Sequence, residues 1–332
     1  FKQKTAYEIR LSLVGSEMCI RDRLCANDVD VAPGRVVYTG MLNERGGFES
    51  DLTVVRNSAD EFYLITGTTQ SRRDLDWIRR NLKPRERVEA LEVTGAWGVL
   101  GVMGPQSRTL LARLTEADLS SAAFPFGTAQ TLSLGLATVR AVRLTYVGEL
   151  GWELHVPVEQ MVPTYEALLT AGADLGITHA GHYAINSLRL EKGYRAFGAE
   201  LSPDETPLEA GLGFAVAWDK PGGFLGREAL LRQREQGIRK RLAQFALEDP
   251  EPVLWGSEPI LREGQTVGYT TSGSYGHTVG AAVALGYVKN PGGATPEFVQ
   301  QGRYTIRLNG RDLPARCSLK PWYDAARGRI LG

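Results

Sequence analysis

The residue pattern changes beyond Gly237, and this change constrains the fold more than any other feature of the chain. Before it, strand-like and helix-like stretches alternate without a regular repeat. After it, turns of Gly, Pro and Ser separate four strand-like stretches with almost no helix between them: Leu242–Leu247, Gln265–Thr270, Val279–Val288 and Tyr304–Leu308. Such spacing predicts a small antiparallel β-barrel or sandwich. We place this second domain at residues 226–332.

The stretch before this boundary has the pattern of an α+β domain. Arg35–Leu42 and Leu52–Arg56 have strand composition, and a turn of charged residues and glycines separates them. Further on, Val142–Tyr146 and Trp152–Val156 alternate as two strands, and Gly148–Gly151 predicts the hairpin between them. Strands that are joined by hairpins, without regular crossover helices, favour an α+β arrangement.

Composition excludes several classes of partner. Lys plus Arg and Asp plus Glu number 38 each, so no net charge attracts nucleic acid or a lipid surface. No apolar run approaches the roughly 18 residues of a membrane-spanning helix. Cys19, Cys25 and Cys317 are odd in number and widely spaced. They form neither a CxxC pair nor a disulfide framework, which fits a reducing compartment, the cytoplasm or the mitochondrial matrix.

The first 23 residues, Phe1–Arg23, show no helical or strand period that connects with the chain after Leu24. They also lack the basic start, apolar middle and small-residue cleavage site of a signal peptide. Two blocks, Lys2–Ile9 and Leu13–Arg23, resemble the conceptual translation of sequencing-library adapters. We therefore expect residues 1–23 to be non-native. The first domain, residues 24–225, is then truncated, and the natural protein continues upstream of Leu24.

Nucleotide and metal motifs do not account for the chain. No GxGxxG sequence follows a strand and opens a helix, and no P-loop lysine motif is present. The chain itself therefore carries no visible site for a flavin, NAD or ATP. His179 and His182 have a spacing that metals use, but no third ligand is in register, so we predict no metal site. The histidines and serines also form no convincing catalytic triad.

Two constellations remain as candidate sites. In Gly46–Thr53, Asp51 stands at the entry to an apolar strand, where it is either a turn or capping residue or a catalyst. In the second, Tyr146 and Glu153 flank the predicted hairpin and can project to the same side of a pocket. Ordinary cross-strand pairing explains this second arrangement equally well. The residues alone leave these alternatives open.

Taken together, these segments form an ordered set that resembles a known family. The set comprises Val36–Arg56, Gly101–Leu111, Arg143–Pro157, Ser187–Leu212 and Gly268–Val288. Its members resemble consecutive signatures of the aminomethyltransferase folate-binding family, which includes the glycine-cleavage T-proteins. The resemblance covers essentially all of Leu24–Gly332. It implies a T-protein-like multi-domain fold that ends in a small antiparallel β-barrel.

The resemblance also implies that the chain binds tetrahydrofolate. Asp51 matches an aspartate beside the folate nitrogens, where a carboxylate can take a proton or stabilise a cationic intermediate. Tyr146 and Glu153 match residues that line the pterin pocket in the family. A carboxylate suits the paired N–H donors of a pterin, and a tyrosine offers an aromatic face. Thr53 and Thr66 match further folate contacts. Thr53 also lies two positions from Asp51 on one strand, so both point to the same side.

The positions at which this chain differs from the T-protein pattern favour one branch of the family. T-proteins carry a folate-contacting arginine where this chain has Ile185, and the KGCYxGQE sequence of related iron–sulfur assembly proteins is absent. Glu191–Gly211 resembles instead the dimethylglycine and sarcosine dehydrogenase branch. This implies capture of a methylene from an N-methyl amine-derived iminium as 5,10-methylenetetrahydrofolate, with FAD on a missing upstream domain in cis. A free-standing aminomethyltransferase, a folate-dependent demethylase and a non-catalytic folate-binding module remain as alternatives.

Overall fold

Paired strands form the framework of the molecule. The computed structural model describes residues 23–84 and 88–332, together with the backbone of residues 4–11. The N-terminal sheet has the order β2-β3-β4-β1-β5, with β1 at Lys4–Leu11, β2 at Val36–Leu42, β3 at Phe48–Arg56, β4 at Glu61–Gly67 and β5 at Val88–Glu92. The central sheet has the order β6-β9-β8-β7, with β6 at Trp97–Met103, β7 at Thr128–Leu134, β8 at Ala137–Arg143 and β9 at Gly151–Pro157.

The remaining strands close into a barrel, as the turn-rich pattern after Gly237 predicts. In the order β10-β13-β12-β11-β14-β15, it contains β10 at Lys240–Leu247, β11 at Pro259–Arg262, β12 at Gln265–Gly276, β13 at Ala281–Lys289, β14 at Tyr304–Leu308 and β15 at Arg311–Ser318. The four predicted strands are confirmed, whereas β11 and β15 have no counterpart in the prediction. Phe245, Val288 and Ile306 fill the barrel interior.

Helices cover the two open sheets and join them to the barrel. They are α1 at Ser71–Arg80, α2 at Ser107–Ala112, α3 at Met161–Gly172, α4 at His182–Glu191, α5 at Arg227–Gln236, α6 at Pro296–Gln300 and α7 at Gly328–Leu331. In the part of the chain that is described, none of them is long and apolar enough to cross a membrane. The α+β prediction is confirmed. Leu230 of α5 packs against Leu42 and Phe48 of the first domain, and the exact domain boundary stays a prediction.

The N-terminal segment differs from expectation in one respect. Lys4–Leu11 forms strand β1, which pairs antiparallel with both β4 and β5. The expectation that Phe1–Arg23 contains no strand connected with the rest of the chain is therefore wrong for these eight residues. The predicted adapter origin of the segment stays a prediction. Most of the second adapter-like block, including Cys19, lies outside the described residues.

Alternation along β3 gives the N-terminal sheet two different faces. Leu52 and Val54 are buried on one face and pack with Ile78 of α1. Asp51 and Thr53 therefore point to the opposite face, because successive side chains of a strand alternate. We call this opposite face, on which Val55 also lies, the inner face of the N-terminal sheet. Thr53 is paired there with Tyr38 on β2 and Ile65 on β4.

The inner face meets the central sheet. On β9, Trp152, Leu154 and Val156 are fully buried in a cluster with leucines of α2 and α3. Glu153 and His155 alternate with them and lie on the side of the N-terminal sheet. The Tyr63 hydroxyl and the His155 Nδ1 are 3.0 Å apart across the junction. Around this contact, Val55, Ile65 and Val142 form an apolar cluster that holds the two sheets face to face.

Candidate functional site

Asp51 lies half-buried on the inner face, within hydrogen-bonding distance of a second strand. The Tyr38 hydroxyl donates to Asp51 Oδ2 over 3.1 Å. Tyr38 is directly opposite Thr53 and therefore diagonal to Asp51, which is within reach of a long side chain. Asp51 is thus not a simple turn or capping residue. Its carboxylate belongs to the interior face that meets the central sheet.

Tyr146 approaches the same place from the connection between β8 and β9 of the central sheet. It does not belong to a strand, because β8 ends at Arg143 and β9 begins at Gly151. The predicted antiparallel pairing of the two strands is confirmed, but the predicted short turn at Gly148–Gly151 is wrong, because a seven-residue connection, residues 144–150, joins them. The Tyr146 hydroxyl donates to the Arg195 carbonyl over 2.9 Å. This contact with a residue far along the chain fixes the position of the Tyr146 ring, which no strand pairing holds.

Two tyrosine side chains, Tyr38 and Tyr146, lie near Asp51. Tyr146 stacks on Tyr194 with a centroid separation of 6.0 Å and an interplanar angle of 9°. Burial raises the pKa of Tyr38 well above its ordinary range, and the negative charge of Asp51 adds to the effect. Burial likewise raises the pKa of Tyr146 far above its usual value, although Arg189 opposes the shift. Both phenols therefore keep their protons at neutral pH and act as hydrogen-bond donors.

Two further predicted residues, Thr53 and Glu153, lie on the two sheets that face each other at the junction. Thr53 lies on the inner face beside Asp51. Glu153 is 4% exposed and lies on the facing side of the central sheet, with Val142 opposite it on β8. The structure therefore brings Asp51, Thr53 and Glu153 to the same junction between sheets, with Tyr146 at its edge.

Thr66 is not brought to this junction. Its neighbour Ile65 points to the inner face, so the Thr66 side chain points to the side of α1. There the Thr66 hydroxyl donates to Asp74 Oδ2 over 2.5 Å, and Ser50 donates to the same oxygen over 2.9 Å. Burial raises the pKa of Asp74 to about 7, against the lowering effect of these two hydrogen bonds. Thr66 thus supports the strand behind Asp51 and does not face the junction between the two sheets.

The segment that carries much of the resemblance has a mainly structural role. Arg189 and Glu200 form a buried ion pair at 2.8 Å, and Arg189 also donates to Ser272 Oγ of the barrel over 2.7 Å. The Glu191 carboxylate accepts the backbone N–H groups of Thr278 and Val279 at 2.6 and 2.9 Å. These contacts fasten α4 and the following loop to the barrel. They hold in place the loop whose Arg195 carbonyl accepts from Tyr146.

Tyr38, Tyr194 and Arg195 belong to the site but are not among the predicted residues. Strand pairing could have indicated Tyr38, because a residue opposite Thr53 must share its face. No local signal indicates Arg195, whose guanidinium is held by the carbonyls of Ala210 and Gly193 at 2.9 and 2.7 Å. The described ranges, 23–84 and 88–332, contain no group of three or more His, Cys, Asp or Glu side chains that could hold a metal ion.

Comparisons with known proteins identify the family to which the chain belongs. The sequence matches the family described as GCVT N-terminal domain over residues 12–220 and the Glycine cleavage T-protein C-terminal barrel domain over residues 240–324. It is 41% identical to mitochondrial sarcosine dehydrogenase of Mus musculus over 327 residues, 94% of this chain and 36% of that protein. It is 41% identical to mitochondrial dimethylglycine dehydrogenase of Homo sapiens over 295 residues, 89% of this chain and 33% of that protein.

The chain thus spans about a third of the length of the two dehydrogenases that it matches. Among solved structures, the glycine cleavage system aminomethyltransferase T from Bartonella henselae superimposes with a TM-score of 0.83, over 98% of this chain and 85% of that one. The sequence identity to that protein is 22%, so the likeness shows the fold alone.

Proposed function

Because this chain belongs to the glycine-cleavage T-protein family, we propose that it binds tetrahydrofolate at the junction of its two sheets and uses Asp51 in one-carbon transfer. The observation that supports the proposal most directly is the 3.1 Å hydrogen bond from Tyr38 to Asp51. It holds a carboxylate in a fixed orientation on an interior face, beside the protonated phenol of Tyr146. Carboxylates on interior faces are mostly paired, and one that accepts a hydrogen bond from a neutral phenol is a candidate for chemistry.

The side chains at the junction suit a reduced pterin. Glu153 is buried on the facing sheet, and the paired N–H donors of a 2-amino-4-oxopterin match the two oxygens of a carboxylate. Tyr146 and Tyr194 offer aromatic faces against which a flat ring can pack. Thr53 supplies a further hydroxyl on the inner face. These residues would hold the pterin, and Asp51 would meet its reactive edge.

Tetrahydrofolate supplies the nitrogen nucleophiles of the reaction. Asp51 accepts the proton that the attacking nitrogen loses as the new C–N bond forms. Asp51 would then give this proton to the donor amine as the old C–N bond breaks, so the amine leaves as the free base. The second folate nitrogen would form the other C–N bond of the methylene bridge, and its proton would pass by way of Asp51 to solvent. An iminium cation and tetrahydrofolate then yield 5,10-methylenetetrahydrofolate, the amine and one proton, so charge is conserved. Tyr38 stays a donor throughout and favours the ionised form of the carboxylate, which is the form that can accept a proton.

We extend the proposal to the source of the one-carbon unit. The names of the similar proteins, sarcosine dehydrogenase and dimethylglycine dehydrogenase, indicate oxidation of N-methyl amines. We propose that this chain captures the methylene of such an iminium as 5,10-methylenetetrahydrofolate, and that an FAD domain in cis carries out the oxidation. The contiguous coding sequence upstream of Leu24 tests this part, since it must encode a GxGxxG-bearing domain.

The test of the folate chemistry is a pair of measurements on Asp51→Asn. We expect the variant to bind tetrahydrofolate within about threefold of the unmodified chain in calorimetry. The rate of methylene transfer from an iminium donor, above the rate without protein, should fall by roughly a hundredfold or more. Asp76→Asn, which removes an exposed carboxylate from α1, is the matched control and should keep full activity.

Two outcomes would contradict the proposal in different ways. If the unmodified chain does not bind tetrahydrofolate, the assigned site is wrong. If Asp51→Asn binds the folate and keeps more than half of the transfer rate, Asp51 is not the proton acceptor. The alternative of a folate-binding module without catalysis would then account for the data.

A further inference from the structure

Residues 319–332 lead from the end of the barrel to the central sheet, and we call them the strap. Near the barrel, the Trp322 backbone N–H donates to Gln244 Oε1 of β10 over 3.1 Å. At the other end, the Arg143 guanidinium of β8 donates to the Leu331 carbonyl over 2.7 Å. The strap is therefore fixed at two places, one in the barrel and one in the central sheet.

Between these places, the strap is attached to the end of α4. The Tyr323 backbone N–H donates to the Glu191 carbonyl over 3.1 Å. Lys192 Nζ donates to Asp324 Oδ2 over 2.8 Å, and these two side chains are 3% and 8% exposed. The same ammonium group donates to the Asp324 carbonyl over 2.5 Å. Because a buried ion pair needs good geometry and further hydrogen bonds, this pair fixes the strap relative to α4.

The backbone at Asp324 also depends on its surroundings. Its φ of 45° lies in the left-handed region, which is uncommon for residues other than glycine. The Asp324 carbonyl accepts from the Arg327 N–H over 2.9 Å, and Oδ1 accepts from the Arg329 N–H over 3.2 Å. Such a conformation costs free energy and persists where surrounding contacts impose it. The position of Asp324 is thus set by its contacts.

The neighbouring residue of the strap holds the connection that carries Tyr146. The Tyr323 hydroxyl donates to Glu149 Oε1 of this connection. Burial raises the pKa of Tyr323 to about 12, and the hydrogen bond to Glu149 adds to the effect, so the phenol is a donor at neutral pH. On the other side, Gly148 packs on Lys192, since a Cβ at position 148 would lie 3.0 Å from the lysine Cγ and Cδ atoms. The connection is therefore held between Tyr323 and the stem of Lys192.

The strap also lies close to Tyr194, the ring on which Tyr146 stacks. Burial raises the pKa of Tyr194, and the charges of Arg327 and Asp324 act on it in opposite directions. Both charges belong to the strap. The two rings of the stack thus lie on segments that the strap contacts.

We propose that Tyr323 and Asp324 are positioning residues of the folate site, an inference that rests on the proposed function. Tyr323 holds the connection directly, and Asp324 holds the lysine on which the same connection packs. Together they keep the Tyr146 ring in its stack, where a pterin can pack against it. Both residues act through Tyr146, so their loss weakens folate binding and leaves the proton transfer at Asp51 in place.

The test compares Tyr323→Phe and Asp324→Asn with Tyr269→Phe, a matched change at a 57% exposed tyrosine of the barrel. Calorimetry measures the binding of tetrahydrofolate and of 6-methyltetrahydropterin, which lacks the glutamyl tail. We expect both strap variants to weaken both ligands equally, by about three- to tenfold, the equivalent of one hydrogen bond. At saturating tetrahydrofolate, the rate of methylene transfer should stay within about twofold of that of the unmodified chain.

Hydrogen exchange followed by mass spectrometry reports on the connection without any ligand. We expect faster exchange in residues 144–150 of both strap variants and unchanged exchange in β2 and β3. Thermal melts check the folding of Asp324→Asn, which alters a buried pair. Tyr323→Phe removes a single hydroxyl from a partly exposed side chain and keeps the test decisive.

The inference is overturned if Tyr323→Phe binds both pterins as tightly as Tyr269→Phe, or if exchange in residues 144–150 is unchanged. A loss confined to tetrahydrofolate would also overturn it, because the strap would then act on the tail and not through Tyr146. Failure of the unmodified chain to bind either pterin would overturn the proposed function instead. The exchange measurement would still decide whether the strap holds the connection.

Discussion

The Tyr38 hydroxyl and Asp51 Oδ2 are joined by a 3.1 Å hydrogen bond across strands β2 and β3. Burial, reinforced by the charge of Asp51, raises the pKa of Tyr38 so far that the phenol remains a donor at neutral and mildly alkaline pH. The hydrogen bond therefore favours the ionised carboxylate, and its loss makes Asp51 easier to protonate.

Tyr38→Phe removes this donor and keeps the ring. Since ionised Asp51 is the proposed base, we expect the acidic limb of the methylene-transfer profile to move to higher pH in the variant. A pH–rate profile of the variant measures this shift. Tyr183→Phe, at an 81% exposed position, is the control. An unchanged acidic limb in Tyr38→Phe would show that the hydrogen bond does not tune the base.

Asp74 makes stability depend on pH. Its pKa is raised by burial from 3.8 to about 7, so folding favours the protonated form. The stabilisation from that protonation is fully present below pH 3.8 and is lost as the pH rises through about 7. Asp74→Asn removes this contribution. The melting temperature of the unmodified chain should therefore fall relative to the variant between pH 5 and pH 8, by about 2–4 °C.

Thermal melts of both proteins in matched buffers check this difference. The charged neighbours of Asp74, Asp51 and Arg73, are common to the two chains. A constant offset between the two melting temperatures from pH 5 to pH 8 would mean that Asp74 does not titrate in this range.

Gly47 allows the turn before β3 to pass against the loop that contains Pro203. A Cβ atom at position 47 would lie 1.9 Å from the Pro203 carbonyl oxygen, which is backbone and cannot rotate away. We therefore expect Gly47→Ala to lower the free energy of unfolding by about 1–3 kcal/mol. Gly95→Ala is the matched control, because a Cβ there would meet no atom within 4 Å. Chemical denaturation of both variants measures the difference, and equal stability would contradict the predicted clash.

The Arg189–Glu200 pair tests the attachment of α4 to the barrel. The two side chains are 4% and 0% exposed, so Arg189→Met leaves a buried carboxylate without its cation. We expect a loss of about 3–5 kcal/mol in the free energy of unfolding. Arg303→Met breaks the surface pair with Glu263 and should cost less than about 1 kcal/mol, because Arg303 is 91% exposed. Denaturation curves that show similar losses would argue against a structural role for the buried pair.

Local pattern was sufficient for the fold class and for part of the site. Strand composition and alternation predicted β2, β3 and β9, and turn-rich spacing predicted the barrel, because both depend on residues that are neighbours in the chain. Strands β1, β5, β6 and β7 had no counterpart in the prediction. The same two-residue period placed Asp51 and Thr53 on one side of β3, as the strand pairing confirms. For Thr66, the resemblance indicated a folate contact. Neighbouring side chains of a strand point to opposite faces of the sheet, so Ile65 and not Thr66 lies on the inner face. Thr66 therefore faces Asp74 and α1.

The sequence by itself determined the α+β domain, the barrel and the family, and it identified Asp51 as the residue on which the proposed function depends. Only the tertiary structure decided which groups surround that carboxylate. Tyr38 arrives from the neighbouring strand, and Tyr146 is held in a connection by the Arg195 carbonyl, 49 residues further along the chain. Contacts over such separations arise from strand register and from the packing of α4 on the barrel. No periodicity in a short stretch of sequence records them.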